Sequence, residues 1–283
     1  MDFIDKYILE EIEKRNQKGL SDFEGYSPAQ MQFILYNTFS KNSPVVINKV
    51  SDKLYSEIPL LNQIKHLLNI IKDSKELLLT KKGFLPTKIV ANLYKQQFIT
   101  DYAIENGITK LYKETDVNTI NLTRLLIELS PFVKKRTNKL SLTKKGAEAI
   151  NNNFKLFNSF FEIFTKDFNW AYYDGYDNDE IGQLGFGFTL ILLNKYGNTF
   201  RPVEFYAEKY LKAFNFPDDN DDDDEYSAND SLNSYTLRSF DRSLNYFGLI
   251  DVKKTNYDVT HVKKSKLFDK LIKIQPHNNM YKV

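Results

Sequence analysis

The sequence predicts a mainly α fold with small β-hairpins. Apolar residues recur at helical spacing along most of the 283 residues, as in Leu60, Leu61, Ile64, Leu67, Leu68 and Ile71. The pentapeptide Leu-Thr-Lys-Lys-Gly occurs at residues 79–83 and again at 142–146, each time between an apolar helical stretch and another helix. Residues 133–142 read as a strand, a basic turn and a returning strand, after which Thr143-x-x-Gly146 opens a helix.

From the N-terminus, Phe3, Ile4, Tyr7, Ile8 and Ile12 mark an amphipathic helix from Asp2 to about Gln17, ended by Gly19. Ser27-Pro28 supplies an N-cap and first-turn pair for a second helix through Met31, Ile34 and Leu35. Val45-Val46-Ile47 favours a short extended piece. Pro59 opens a long helix, the first pentapeptide follows, and Pro86-Thr87 starts a helix through Ile89, Val90, Leu93 and Tyr94. Helices and short connections continue to the basic hairpin. The helix beyond it is lined by Phe154, Phe157, Phe160, Phe161, Phe164 and Phe168, and together with Trp170 these rings read as core. Turn residues 173–179 form a junction.

The last part reads as helix 186–196 closed by Gly197, strand 199–201, and helix 203–214 opened by Pro202. After an acidic loop come helix 234–247 closed by Gly248, a hairpin of 249–252 with 257–260, and a helix holding Leu267, Phe268, Leu271 and Ile272. Helix, strand, helix, helix, hairpin is the element order of a winged helix. Val259-Thr260 then stands where Leu-Thr stands in the two pentapeptides. The expected architecture is two or three winged-helix-like modules behind a helical N-terminal region. Its divisions are 1–58 (helical), 59–168 (helical with winged-helix-like modules) and 169–283 (C-terminal winged-helix-like domain). The first pentapeptide is the weakest module, because it lacks room for a full hairpin before Leu79.

The formal net charge of +2 hides an uneven distribution. Residues 218–225 hold seven carboxylates; without them 39 basic groups face 30 acidic ones, or +9. Residues 134–145 carry six basic side chains and no acidic one, and 251–283 carry eight lysines against three aspartates. Both basic segments coincide with predicted wings, which points to a nucleic-acid partner, DNA or RNA. The absence of cysteine excludes disulfides, thiolate metal sites and a thiol nucleophile. No apolar run reaches the length of a membrane span, and the N-terminus has no secretory core. The expectation is a cytoplasmic protein with no membrane association.

Candidate nucleic-acid contacts are Lys134, Lys135, Arg136 and Lys139 of the first wing and Lys253 and Lys254 of the second, placed to lie along phosphates. Lysines that merely keep a hairpin soluble would look the same. On the helix at 234–247, Tyr235, Arg238, Ser239, Arg242 and Asn245 fall between the apolar positions, and Arg238 and Arg242 are candidate groove contacts. A solvated helix face is the alternative. In the middle module, Asn121, Thr123, Arg124 and Glu128 are expected to be exposed on a helix too apolar to read bases well. The acidic run lacks the glycine and the final glutamate of a calcium loop, and reads as a solvated linker. Asp174, Asp177, Asp179 and Glu180 read as turn formers and a helix start. Gly182-x-x-Gly185-x-Gly187 lacks the strand and lysine of a phosphate loop. His66, His261 and His277 have no metal-ligand spacing, and no catalytic motif or cofactor signature is present.

The stretches Gly25-Tyr26-Ser27-Pro28-Ala29-Gln30-Met31, Leu35-Tyr36-Asn37, Ser43-Pro44-Val45 and Phe168-Asn169-Trp170-Ala171-Tyr172, with Arg201-Pro202-Val203-Glu204-Phe205-Tyr206, are similar to a family of bacterial proteins of uncharacterised function. That resemblance covers most of the chain and implies no activity and no site residues. Residues 133–146 separately resemble the wing of winged-helix regulators. The chain departs from them in lacking a clear dimerisation helix pair and a strongly basic recognition helix in the middle module. The sequence therefore points to a non-enzymatic winged-helix-type protein binding nucleic acid through basic wings. A protein-interaction scaffold is the alternative, and a hydrolase built from carboxylates that converge in space the last.

Overall fold

The computed structural model describes residues 3–216, 225–254 and 259–277, with only the backbone of 3, 4 and 225–229. These residues are mainly helical, with three small antiparallel sheets among them. They form two compact units. The first comprises Met1–Asn48, Asp174–Asn245 and Leu249–Val283; the second comprises Lys49–Tyr173 and Tyr246–Gly248. Except for the backbone of Glu225, the acidic run lies outside the described residues, as do Tyr257 and Asp258 of the second hairpin.

The first unit begins with α1 (Phe3–Gln17), α2 (Pro28–Tyr36) and β1 (Val45–Ile47). Ser27 and Gln30 form a reciprocal capping box that fixes where α2 starts. Tyr7, Ile8, Leu9 and Ile12 of α1 are exposed.

The second unit contains α3 (Asp52–Tyr55), α4 (Pro59–Ser74), β2 (Leu77–Leu78), α5 (Thr87–Lys95), α6 (Tyr102–Glu105) and α7 (Asn118–Leu129). It continues through β3 (Val133–Arg136), β4 (Lys139–Leu142), α8 (Lys144–Ala149) and α9 (Asn153–Lys166). The predicted hairpin is β3–β4, and β2 adds to it in the order β2-β4-β3. Phe157 and Phe161 of α9 stack at 5.2 Å, and the edge of Phe247 closes on Phe161 at 4.8 Å. Trp170 is buried and donates its Nε1–H to the Phe164 carbonyl at 2.7 Å.

The two pentapeptides fold differently. In the second, Thr143 caps α8, its hydroxyl accepting from Gly146 N at 3.0 Å, and Gly146 is helical. A Cβ on Gly146 would overlap the Phe132 carbonyl, so that glycine permits a close backbone approach. In the first, Gly83 takes φ +82°, its N–H returns to Thr80 O at 2.8 Å, and Thr80 to Gly83 form a four-residue turn. Leu79 N–H donates to Asn138 O at 2.8 Å, so this copy is tied to the tip of the β3–β4 hairpin.

That hairpin turns on Thr137 (φ 46°) and Asn138 (φ 57°), a two-residue connection with both residues left-handed. Asparagine tolerates this conformation; a β-branched threonine resists it. Thr137→Asn is expected to stabilise the second unit by about 0.5–1 kcal/mol. Urea denaturation followed by circular dichroism checks this, and a lowered midpoint would show that the turn is unstrained.

The first unit resumes with α10 (Phe186–Tyr196), β5 (Arg201–Pro202), α11 (Val203–Phe214) and α12 (Glu225–Tyr235), which runs on as a π-helix over Thr236–Leu244. It ends with β6 (Ile250–Lys254), β7 (Thr260–Lys264), α13 (Lys266–Leu271) and β8 (Ile272–Ile274). The strand order is β5-β7-β6, and β8 pairs with β1. The returning strand starts at Thr260, which pairs with Lys254. Ser265, not Thr260, is therefore the counterpart of Thr143: its hydroxyl accepts from Phe268 N at 3.1 Å and so caps α13. Ile272 is not helical, because it pairs with Ile47.

Candidate nucleic-acid interface

Side chains on a strand alternate between faces, and directly paired residues share one. Val133 pairs with Leu142 and Lys135 with Leu140; Val133 and Leu140 are buried, so this face points inward. Lys134 pairs with Ser141 and Arg136 with Lys139, which places Lys134, Arg136 and Lys139 together on the outward face. Among the described residues, Lys134 and Arg136 make no ion pair. Lys139 meets Glu76 at 2.7 Å, but both are well exposed and such a pair is weak. Lys135 leans back to Glu128 of α7 at 2.9 Å. The four first-wing candidates are thus three outward bases and one that braces the hairpin.

Helix α7, expected to expose Asn121, Thr123, Arg124 and Glu128, instead buries the first three. Gln63 of α4 donates to Thr123 Oγ1 at 2.8 Å and to Thr119 O at 2.9 Å. Glu114, fully buried, accepts from Leu85 N, Asn121 Nδ2 and Arg124 Nε. Arg124 also reaches Glu128 at 2.7 Å. Burial alone would lower the Arg124 pKa, but its bonds to Glu114 and Glu128 outweigh this and raise it. A chain of alternating charge, Glu114–Arg124–Glu128–Lys135, runs from the interior to the hairpin.

In the first unit, the expected groove contact Arg238 is 0% exposed. It binds Asp174 at 2.7 and 3.1 Å and donates to the carbonyls of Asn178 and Ile181 at 2.5 and 3.2 Å. Arg242 is mostly covered and pairs with the same Asp174 at 2.9 Å. Tyr235 and Ser239 are buried as well. The sequence expectation for this helix is therefore corrected at Tyr235, Arg238 and Ser239, which are buried, and at Arg242, which is mostly covered, with Asp174 neutralising both arginines; Asn245 is exposed as expected. Asp174 itself is a buried ion-pair partner, not only a turn former. Lys253 and Lys254 of β6 are exposed, with Lys253 opposite His261 on the outward face and Lys254 near Asp241.

A pocket of about 450 Å³ opens in the second unit. Lys81, Lys82, Phe84, Thr87, Lys113 and Thr115 line it, with Glu114 in its wall. Lys135 Nζ lies 3.7 Å from where a Gly83 Cβ would stand, so the turn of the first pentapeptide abuts the hairpin. The Lys-Lys-Gly-Phe run was visible in the sequence, but its approach to Lys113 was not. A Cβ at Gly182, Gly185 or Gly187 would meet Ser239, Phe214 or Thr38, so these glycines serve close packing. Among the described residues, no cluster of His, Asp or Glu could hold a metal ion, and no helix is long and apolar enough to cross a membrane.

No family model, curated protein or solved structure matches this chain.

Proposed function

We propose that this is a non-enzymatic cytoplasmic nucleic-acid-binding protein that grips the phosphate backbone with the outward face of the β3–β4 hairpin and does not read bases with a helix. The observation that carries this is the grouping of Lys134, Arg136 and Lys139 on one exposed face. Lys134 and Arg136 stand about 7 Å apart along their strand, close to the separation of neighbouring phosphates. Each unit is proposed to contain one winged-helix-like module. Supporting this, α4, β2, α5, α7, β3 and β4, with the short α6 interposed between α5 and α7, follow the order of α10, β5, α11, α12 with its π-helix, β6 and β7. In both, the first strand pairs with the last, giving orders β2-β4-β3 and β5-β7-β6.

The arginines of the third helices are paired, Arg124 with Glu114 and Glu128, and Arg238 and Arg242 with Asp174, so the proposed duplex contact falls to the β3–β4 hairpin. Binding is expected to be indifferent to sequence. Fluorescence anisotropy with several unrelated duplexes at low salt tests this: similar affinities support backbone contact, and a strong preference for one duplex, or no binding, contradicts it. A protein-interaction role is the second proposal, favoured by the exposed Tyr7, Ile8, Leu9 and Ile12 on α1.

A further inference from the structure

We propose that the pocket beside the hairpin receives one unstacked base and its phosphate, so that the second unit prefers single-stranded nucleic acid to duplex. This rests on the nucleic-acid proposal above and names the form of the ligand. At about 450 Å³ the pocket falls within the range that holds small organic groups. Its wall combines an aromatic ring, Phe84, with Lys81, Lys82 and Lys113. An aromatic ring that accepts any base by stacking, set among cations that accept phosphate, is the composition of single-strand sites.

The carboxylate in the wall does not oppose an anion. Glu114 is fully buried, and its oxygens are taken up by Leu85 N, Asn121 Nδ2 and Arg124 Nε. Lys81, Lys82 and Lys113 make no ion pair among the described residues, and all three are exposed. Tyr112, adjacent to Lys113, is exposed, which extends the alternation of ring and cation beyond the pocket. Because the Gly83 turn abuts Lys135, a strand entering the pocket continues toward the hairpin. A base held inside a duplex stack cannot enter, so the pocket distinguishes the two forms.

The test is fluorescence anisotropy with a labelled 20-nucleotide thymidine strand, an unstructured RNA 20-mer and a 20-base-pair duplex. Wild-type protein, Phe84→Leu and Lys113→Gln are compared, with circular dichroism melts to verify folding. The wild type is expected to bind a single strand about ten-fold more tightly than duplex, and Phe84→Leu to lose about that factor on single strands alone. Lys113→Gln is expected to reduce the single-strand salt slope by about 0.7 while leaving the duplex slope unchanged, and it carries the test if Phe84→Leu folds poorly. Single-strand binding untouched by Lys113→Gln and by any folded Phe84→Leu, or duplex bound as tightly as single strand by the wild type, would overturn the pocket while leaving hairpin binding intact. Failure of the wild type to bind all three probes would overturn both.

Discussion

Arg238→Met is expected to lower the unfolding free energy of the first unit by about 3–5 kcal/mol, the range for breaking a buried ion pair from one side. The substitution leaves the buried Asp174 carboxylate with Arg242 and strips the carbonyls of Asn178 and Ile181 of their donor. Adding Asp174→Asn is expected not to recover the loss, because Arg242 then loses its carboxylate partner and the carbonyls stay unsatisfied. Urea denaturation of the two variants beside the wild type gives both quantities, and a cost under 1 kcal/mol for Arg238→Met would refute the buried-pair assignment.

The same pair sets an acid limit. Burial alone would raise the Asp174 pKa, but hydrogen bonding and charge from Arg238, with Arg242, outweigh it and hold the carboxyl below its ordinary 3.8. A depressed folded value means that the ionised carboxylate stabilises the fold above the unfolded pKa. That contribution is lost as pH falls from there through the lower folded value. In Arg238→Met the acid-dependent loss should shrink.

The triple reversal Lys134→Glu, Arg136→Glu and Lys139→Glu is expected to abolish nucleic-acid binding while leaving the protein folded. All three side chains are exposed on the outward face, so neither core packing nor the inward Lys135–Glu128 contact is disturbed. Three phosphate contacts on duplex correspond to a salt slope of about −2.7, and reversal replaces each attraction with repulsion. Reversing Arg238 and Arg242 would not test the interface, because both are covered and bound to Asp174.

Much of the local structure was legible in the sequence. Proline and glycine punctuation set α10 and α11 at the expected residues, and Ser27-Pro28 set the start of α2. The basic turn between two short β-forming runs located β3 and β4. Long-range partners escaped because periodicity carries no information about them. Arg238 looked exposed because its partner lies 64 residues away, and Thr123 looked exposed because Gln63, 60 residues away, satisfies it. Polar residues read as surface, although burial requires only that they be paired.

The first pentapeptide illustrates the same limit. The residues of both copies are identical, yet one is a turn with Gly83 at positive φ and the other opens a helix. The bond from Leu79 to the hairpin tip selects the turn, and that bond joins residues nearly sixty apart in sequence. Of the candidate contacts, Lys134, Arg136 and Lys139 come together on one face, Lys253 and Lys254 are exposed in the other unit, Arg238 is buried and Arg242 is mostly covered. Alternation along β3 separates Lys135 from Lys134 and Arg136, and the strand register, which the sequence leaves open, sets Lys139 opposite Arg136.

The decisive measurement is the salt dependence of duplex binding, by anisotropy in steps from 50 to 200 mM salt, for wild type and the triple reversal side by side. Phosphate contact by the outward hairpin face requires a wild-type slope of about −2.7 or steeper and no measurable binding by the folded variant. Equal binding by the two proteins, or a wild-type affinity that does not change with salt, would contradict it.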